Sequence, residues 1–186
     1  MPPLKLVGLV GSFNRPSKTS SLVDFVARRA EDRYGLTRAV YDLTDIGPSL
    51  GTAQSFEQLD ERAQALLREV IAADVLVIGS PTYKGSYPGL FKHLIDLIDP
   101  LALKGKPVLL TATGGGDRHA LMIEHQLRPL FGFFMAHTLP SAVYASDRDF
   151  FDYRLASEPA VQRAEQAVEE LAAFIPLRQP AAVAAE

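Results

Sequence analysis

With 186 residues, 47% of them hydrophobic and 22% charged, the chain is long enough for one domain with a substantial core and has the balance of a soluble globular protein. A formal net charge of −3 gives no reason to expect nucleic acid or an anionic membrane as a partner. The lack of cysteine excludes disulfides, thiolate nucleophiles, thiolate metal sites and a phosphatase loop built on a catalytic cysteine. No apolar run reaches the length of a membrane span, and the N-terminus lacks a basic segment followed by an apolar one, so a cytoplasmic location is expected.

Leu4 to Val10 reads as a buried strand that ends in the loop Gly11-Ser12-Phe13-Asn14-Arg15-Pro16-Ser17. A helix follows over about 18–34, with Leu22, Phe25 and Val26 on its apolar face and Gly35 as its stop. Leu36 to Leu43 is expected as the second strand, and residues 44–57, with Gly47-Pro48 and Gly51, as a long connection over the surface. Residues 58–73 carry a helical stripe of Leu59, Ala63, Leu66, Leu67 and Val70. The β-branched run Val75-Leu76-Val77-Ile78-Gly79 is the signature of a central parallel strand buried on both faces. A helix over 87–99, a strand over 107–112, a helix over 118–134 bent at Pro129, a strand over 138–144 and a last helix over 158–174 complete the pattern. The domain is expected to span 1–175, with 176–186 as a flexible tail.

Five β–α units in alternation predict an α/β fold, a doubly wound five-stranded parallel sheet with helices on both faces. Ligands of such sheets sit beyond the carboxyl ends of the strands, near the switch point, so the loops there are read together. The first is a phosphate cradle: backbone N–H groups and the positive helix end, joined by Arg15 and the hydroxyls of Ser12, Ser17, Thr19 and Ser20. The plainer reading of that loop is a β–α turn with Ser17 as helix cap. Gly8-Leu9-Val10-Gly11 is no dinucleotide fingerprint, and the loop is no P-loop, because Pro16 stands where that motif needs its second glycine and Ser17 precedes Lys18. The second loop, Ser80-Pro81-Thr82-Tyr83-Lys84-Gly85-Ser86-Tyr87-Pro88-Gly89, has two tyrosines, a lysine and two prolines and reads as a rigid aromatic rim, with Pro81 to Gly85 as its ligand contacts. The third, Thr113-Gly114-Gly115-Gly116, exposes backbone N–H groups and lets a flat ring approach. A phosphate at one end, a rim and a glycine wall at the other match flavin mononucleotide (FMN).

Together these loops, with Arg118-His119-Ala120-Leu121, His125-Gln126-Leu127-Arg128-Pro129-Leu130 and Tyr144-Ala145-Ser146-Asp147, resemble the flavodoxin-like NAD(P)H:FMN reductases of two-component sulfonate monooxygenases, most closely the methanesulfonate branch. The resemblance covers most of residues 4–153. It departs in the first loop, where many members read Gly-Ser-Pro-Arg and this chain inserts Phe13 and Asn14 before Arg15. It implies reduction of FMN by NADH or NADPH, hydride passing from nicotinamide C4 to flavin N5, and delivery of reduced flavin to a separate FMN-dependent monooxygenase. The hard chemistry then belongs to the cofactors, and no catalytic side chain is named. It also implies a π-bulge at His125 near a tetramer interface; the alternative is a helix-surface histidine. His119 is a candidate flavin or nicotinamide contact, or a plain residue of a first helical turn. His93 and His137 read as structural, and no spacing such as H-E-x-x-H points to a metal.

Leu90, Phe91, Leu94, Ile95 and Ile98 read as core or interface, and Phe131, Phe133 and Phe134 are too many for one core face, so a homodimer or homotetramer is expected. Three other functional classes share the fold: a non-enzymatic FMN electron carrier, which −3 argues against, a quinone, azo-dye or chromate reductase, and a phosphate-sensing or receiver-type module, which would need an acidic cluster after the first strand that this chain lacks.

Overall fold

A computed structural model of the chain describes residues 3–175, so the tail expected over 176–186 lies outside the described residues. Four strands, β1 (Lys5–Val10), β2 (Thr37–Asp42), β3 (Val75–Pro81) and β4 (Pro107–Gly114), pair in parallel in the order β2-β1-β3-β4. The fifth position is shared by β5 (His137–Thr138) and β6 (Val143–Ser146), both parallel to β4. Strand order reverses between β1 and β3, which is the switch point of the sheet.

The fifth strand was expected unbroken over 138–144. Pro140 cannot donate to a ladder; Leu139 N–H makes a last bond to the Val108 carbonyl at 2.9 Å, and the segment Pro140–Ala142 then leaves the sheet. Side chains satisfy the freed backbone groups: Arg128 donates to the carbonyls of Leu139 (2.8 Å) and Pro140 (3.2 Å), and Glu170 accepts from Ser141 N–H at 2.9 Å.

Alternate residues of each strand feed two cores. Leu6, Val10, Val75 and Val77 pack against α1 (Lys18–Tyr34) and the later α6 (Glu158–Glu169). Val7, Leu9, Leu76 and Ile78 pack against α3 (Glu61–Ala72), α4 (Gly89–Asp96) and α5 (Arg128–Phe133). Two glycines set how closely α1 lies on the sheet. A Cβ on Gly8 would stand 2.6 Å from Val23, and one on Gly79 only 2.2 Å from it. Their absence lets the N-terminus of α1 settle over the switch point.

The connection after β2 is not the surface loop expected. It holds α2 (Leu43–Ile46) and two short 3-10 turns, and it buries Leu43, Ile46, Leu50 and Ala53. The spacing Leu43, Ile46, Leu50 gives it one apolar face, which fills the core beside α3. The helix expected over 118–134 is also divided, into a 3-10 turn (Asp117–His119), a π-helix (Ile123–Leu127) and α5. Pro129 sits in the first turn of α5, where a missing N–H costs least. Of the three phenylalanines assigned to an oligomer contact, Phe131 and Phe134 are core and Phe133 alone is exposed, at 67%. A small antiparallel hairpin, β7 (Phe150–Phe151) with β8 (Arg154–Leu155), was not expected. No helix of the described residues is long and apolar enough to cross a membrane.

Candidate functional site

The three loops at the carboxyl ends of β1, β3 and β4 converge. Gly11 N–H donates to the Gly79 carbonyl at 2.7 Å, and Thr82 N–H to the Thr113 carbonyl at 2.7 Å. Any side chain at Gly11 would strike the Phe91 ring, 2.8 Å from where a Cβ would stand.

In the first loop the four expected hydroxyls have different surroundings. Ser12 is buried; its Oγ accepts from Asn14 N–H at 3.2 Å, and its carbonyl accepts from Leu43 N–H at 3.0 Å. Ser17 caps α1, its Oγ accepting from Ser20 N–H at 3.2 Å. Thr19 is buried, and its hydroxyl meets that of Thr113 at 2.7 Å. Ser20 Oγ is buried with no protein partner. Arg15 turns toward β2: Nε and Nη2 donate to Asp42 at 2.6 and 2.8 Å, and Nη2 also to Asp45 at 2.6 Å. The hydrogen bonds to the two carboxylates raise the guanidinium pKa above its ordinary value. Burial pushes the Asp42 carboxyl up, but its bonds from Arg15 and Thr44 outweigh that and hold it below the usual range.

In the second loop Pro81 is buried and ends β3. Thr82 Oγ1 is buried with no protein partner. Tyr83 and Ser86 exchange backbone bonds (2.8 and 3.2 Å) around Lys84 and Gly85, whose φ angles of 52° and 85° make a tight left-handed turn. Glycine at position 85 takes that conformation without strain. Tyr83 Oη accepts from Asn14 Nδ2 at 3.1 Å, joining this loop to the first.

In the third loop, Gly114 is needed for space: a Cβ there would lie 2.3 Å from Tyr144 Oη. Tyr144 donates to the Gly116 carbonyl at 2.6 Å and so pins the glycine wall. Burial, then the charges of Asp117, Asp147 and Asp149, raise the Tyr144 phenol pKa, keeping it a donor. Gly116 faces open space, and a Cβ on Gly115 would meet only Asp147 Oδ2, at 3.9 Å. His119 is half-buried in the 3-10 turn that follows. His125 is exposed within the π-helix, while its neighbour Gln126 accepts from Ser86 Oγ at 3.1 Å. Among the described residues no group of three or more His, Asp or Glu could hold a metal ion.

Sequence reasoning did not single out Asn14, Asp42, Gln126 or Tyr144 as site residues. Asn14 and Gln126 carried no signal beyond lying in named stretches. Asp42 could have been found from topology, since β1–β2 register sets it opposite Val10, just before the loop.

The residues fit FMN. Buried hydroxyls without a partner cost about 1–3 kcal/mol each, and Ser20 Oγ, just after the first loop, and Thr82 Oγ1, in the second, are two such atoms. A phosphate and a flavin ring edge would satisfy them, and the bare glycines leave room for the ring.

A family model described as NADPH-dependent FMN reductase matches residues 4–150, and the chain belongs to that family of flavin-reducing, nicotinamide-dependent oxidoreductases. It is 48% identical over 170 residues to an FMN reductase (NADPH) of Pseudomonas aeruginosa, covering 91% of each chain. It is 47% identical over 170 residues, again 91% of each, to the NADH-dependent FMN reductase SfnF of Pseudomonas fluorescens. An oxidoreductase structure from Corynebacterium diphtheriae superposes with a TM-score of 0.79 at 30% identity, over 93% of this chain and 97% of that one. The parallel α/β sheet and the FMN reductase class expected from the motifs both hold. Of these two relatives of nearly equal identity, one is named for NADPH and the other for NADH.

Proposed function

We propose that the chain, with residues 1–175 as one FMN-binding domain, binds FMN reversibly, reduces it with NAD(P)H in the cytoplasm and passes it to a separate sulfonate monooxygenase. The observation that carries the FMN site is the pair of unpartnered buried hydroxyls, Ser20 Oγ at the N-terminus of α1 and Thr82 Oγ1 at the end of β3. When bound, FMN supplies the redox chemistry, taking two electrons from the nicotinamide. Ser12, Ser17 and Ser20 with the N-terminal amides of α1 would hold its phosphate. Pro81 to Gly85 and Thr113 to Gly116 would hold its ring system between an aromatic turn and a bare backbone wall. Thr19 supports the floor through Thr113, and Arg15 supports the loop through Asp42. No side chain need donate or accept a proton in that arrangement, so positioning and exclusion of water are the protein's share.

The sulfonate link rests on the motif resemblance of residues 144–147. The assembly we propose is a homodimer or homotetramer. It would cover the groove of about 440 Å³ between α4 and α5, where Phe133 is exposed beside Ile95, Ile98 and Leu130. Stopped-flow oxidation of NADH and NADPH, with and without added FMN, tests the reading. Oxidation should depend on added FMN, and reduced flavin should support a methanesulfonate monooxygenase in the same cuvette. FMN-independent oxidation, or no oxidation with either coenzyme, would overturn it.

A further inference from the structure

Both cations of the first loop are already paired with carboxylates. Arg15 makes three bonds of 2.6–2.8 Å to Asp42 and Asp45. Lys18, the first residue of α1, donates Nζ to Asp147 at 2.7 Å from across the site. Two cations against three carboxylates leave these five side chains at a formal charge of −1. Arg62 lies 3.8 Å from Asp45 on its outer side and is largely exposed. Asp147 stands within reach of the third loop as well, its Oδ2 3.9 Å from where a Cβ on Gly115 would lie. A phosphate monoester carrying nearly two negative charges therefore meets a loop whose fixed cations are cancelled. Its attraction is left to backbone amides, the helix end and short hydroxyls.

We propose that Asp45 and Asp147 are affinity-setting residues for FMN: by neutralising Arg15 and Lys18 they loosen the hold on the phosphate so that reduced flavin can leave. The proposal rests on the reading of this loop as a reversible FMN phosphate site. It explains why a loop with two cations need not bind a dianion tightly. It also gives a reason for the Lys18–Asp147 pair, which spans 129 positions of sequence and lies at the rim. Asp42 shares the Arg15 contact, but it also caps α2 and is buried, so it does not serve as a clean probe. Asp45→Asn keeps an oxygen for the Asp42 N–H, and Asp147 is 61% exposed, so both changes remove charge with little change of shape.

The test compares FMN with riboflavin, which lacks the phosphate, by quenching of flavin fluorescence at two salt concentrations. The Asp45→Asn/Asp147→Asn protein should bind FMN about tenfold more tightly at low salt, with an advantage that shrinks as salt screens it. Riboflavin affinity should stay within about twofold, since it carries no charge at that end. In steady state the same variant should show lower KM for FMN and lower kcat, the pattern of slowed release. Unchanged or weaker FMN binding by a variant that melts like the parent would overturn the proposal while leaving the flavin site in place. A parent protein that binds neither flavin would overturn the site reading itself, and the proposal with it. Equal tightening for riboflavin would also count against it, because the effect would then not act through the phosphate.

Discussion

The hydroxyls of Thr19 and Thr113 meet at 2.7 Å beneath the converging loops, one at the start of α1 and one near the end of β4. The bond ties the two ends of the site together from below, where neither oxygen is open to solvent. Thr19→Val keeps the shape but leaves the Thr113 hydroxyl without that partner. The expected loss is about 1–3 kcal/mol, read as a lower urea midpoint. The ratio of FMN to riboflavin affinity should not change. A variant of parental stability would mean that the bond contributes nothing to the fold.

Ser20 offers the opposite case. Its Oγ is buried and unpartnered, so Ser20→Ala should leave the urea midpoint unchanged or slightly higher. FMN affinity should fall about tenfold, the loss of one charge-assisted bond, while riboflavin binds as before. Ser17→Ala should instead cost about 1 kcal/mol through the lost cap of α1. Similar weakening of both flavins by Ser20→Ala would place the hydroxyl away from the phosphate.

Acid stability should expose the Arg15–Asp42 pair. The Asp42 carboxyl titrates below its ordinary value, so the pair's contribution is complete above about pH 4 and is lost as pH falls through the lower folded value. Arg15→Ala should therefore be less stable than the parent at neutral pH, and the gap should close on acidification. Urea midpoints measured from pH 7 downward check this. A gap that stays constant into strong acid would mean the ion pair is not what Arg15 contributes.

Deleting His125 should let the π-helix of Ile123–Leu127 close to regular α-helical bonding. Gln126 would then move relative to Ser86, loosening the link to the second loop. The variant should keep flavin through purification and lose turnover with free FMN, while its retained flavin is still reduced. Flavin absorbance of the purified protein and steady-state NAD(P)H oxidation are the measurements. A flavin-free, fully active variant would make His125 a surface residue only.

Phe133 is the sharpest probe of assembly. Phe133→Glu places a charge on the exposed apolar groove between α4 and α5 and should shift light scattering toward a smaller species at micromolar concentration. A parent protein that is already monomeric would remove the interface.

The strands were legible because runs such as Val75–Ile78 can only be buried on both faces, and α1 was legible because Ser17 and Gly35 punctuate it. The break in the fifth strand was not. Pro140 by itself is compatible with an edge, and the side chains that stabilise the detour come from Arg128 and Glu170, elements distant in sequence. The β7–β8 hairpin was hidden because Asp152 and Tyr153 take its left-handed turn without a glycine, at φ of 45° and 61°. The three site loops could be found from composition, but not which hydroxyls were already engaged. Thr19 and Ser20 look alike in sequence; burial beside Thr113 engages one and leaves the other free. The Asp42 partner of Arg15 lies 27 positions away and becomes visible only through strand register.

The interrupted fifth strand has one more effect. A sheet border with a long row of unpaired N–H and C=O groups is a template on which another chain can build fibrils. Here that border comprises two residues, a gap and four residues, and the gap's backbone is already claimed by Arg128 and Glu170. At the opposite border, Arg38 of β2 is bonded to Asp24 and Glu31, setting charge beside the outermost strand. Among the described residues, the short interrupted border and the charged side chain at the other both work against growth edge to edge.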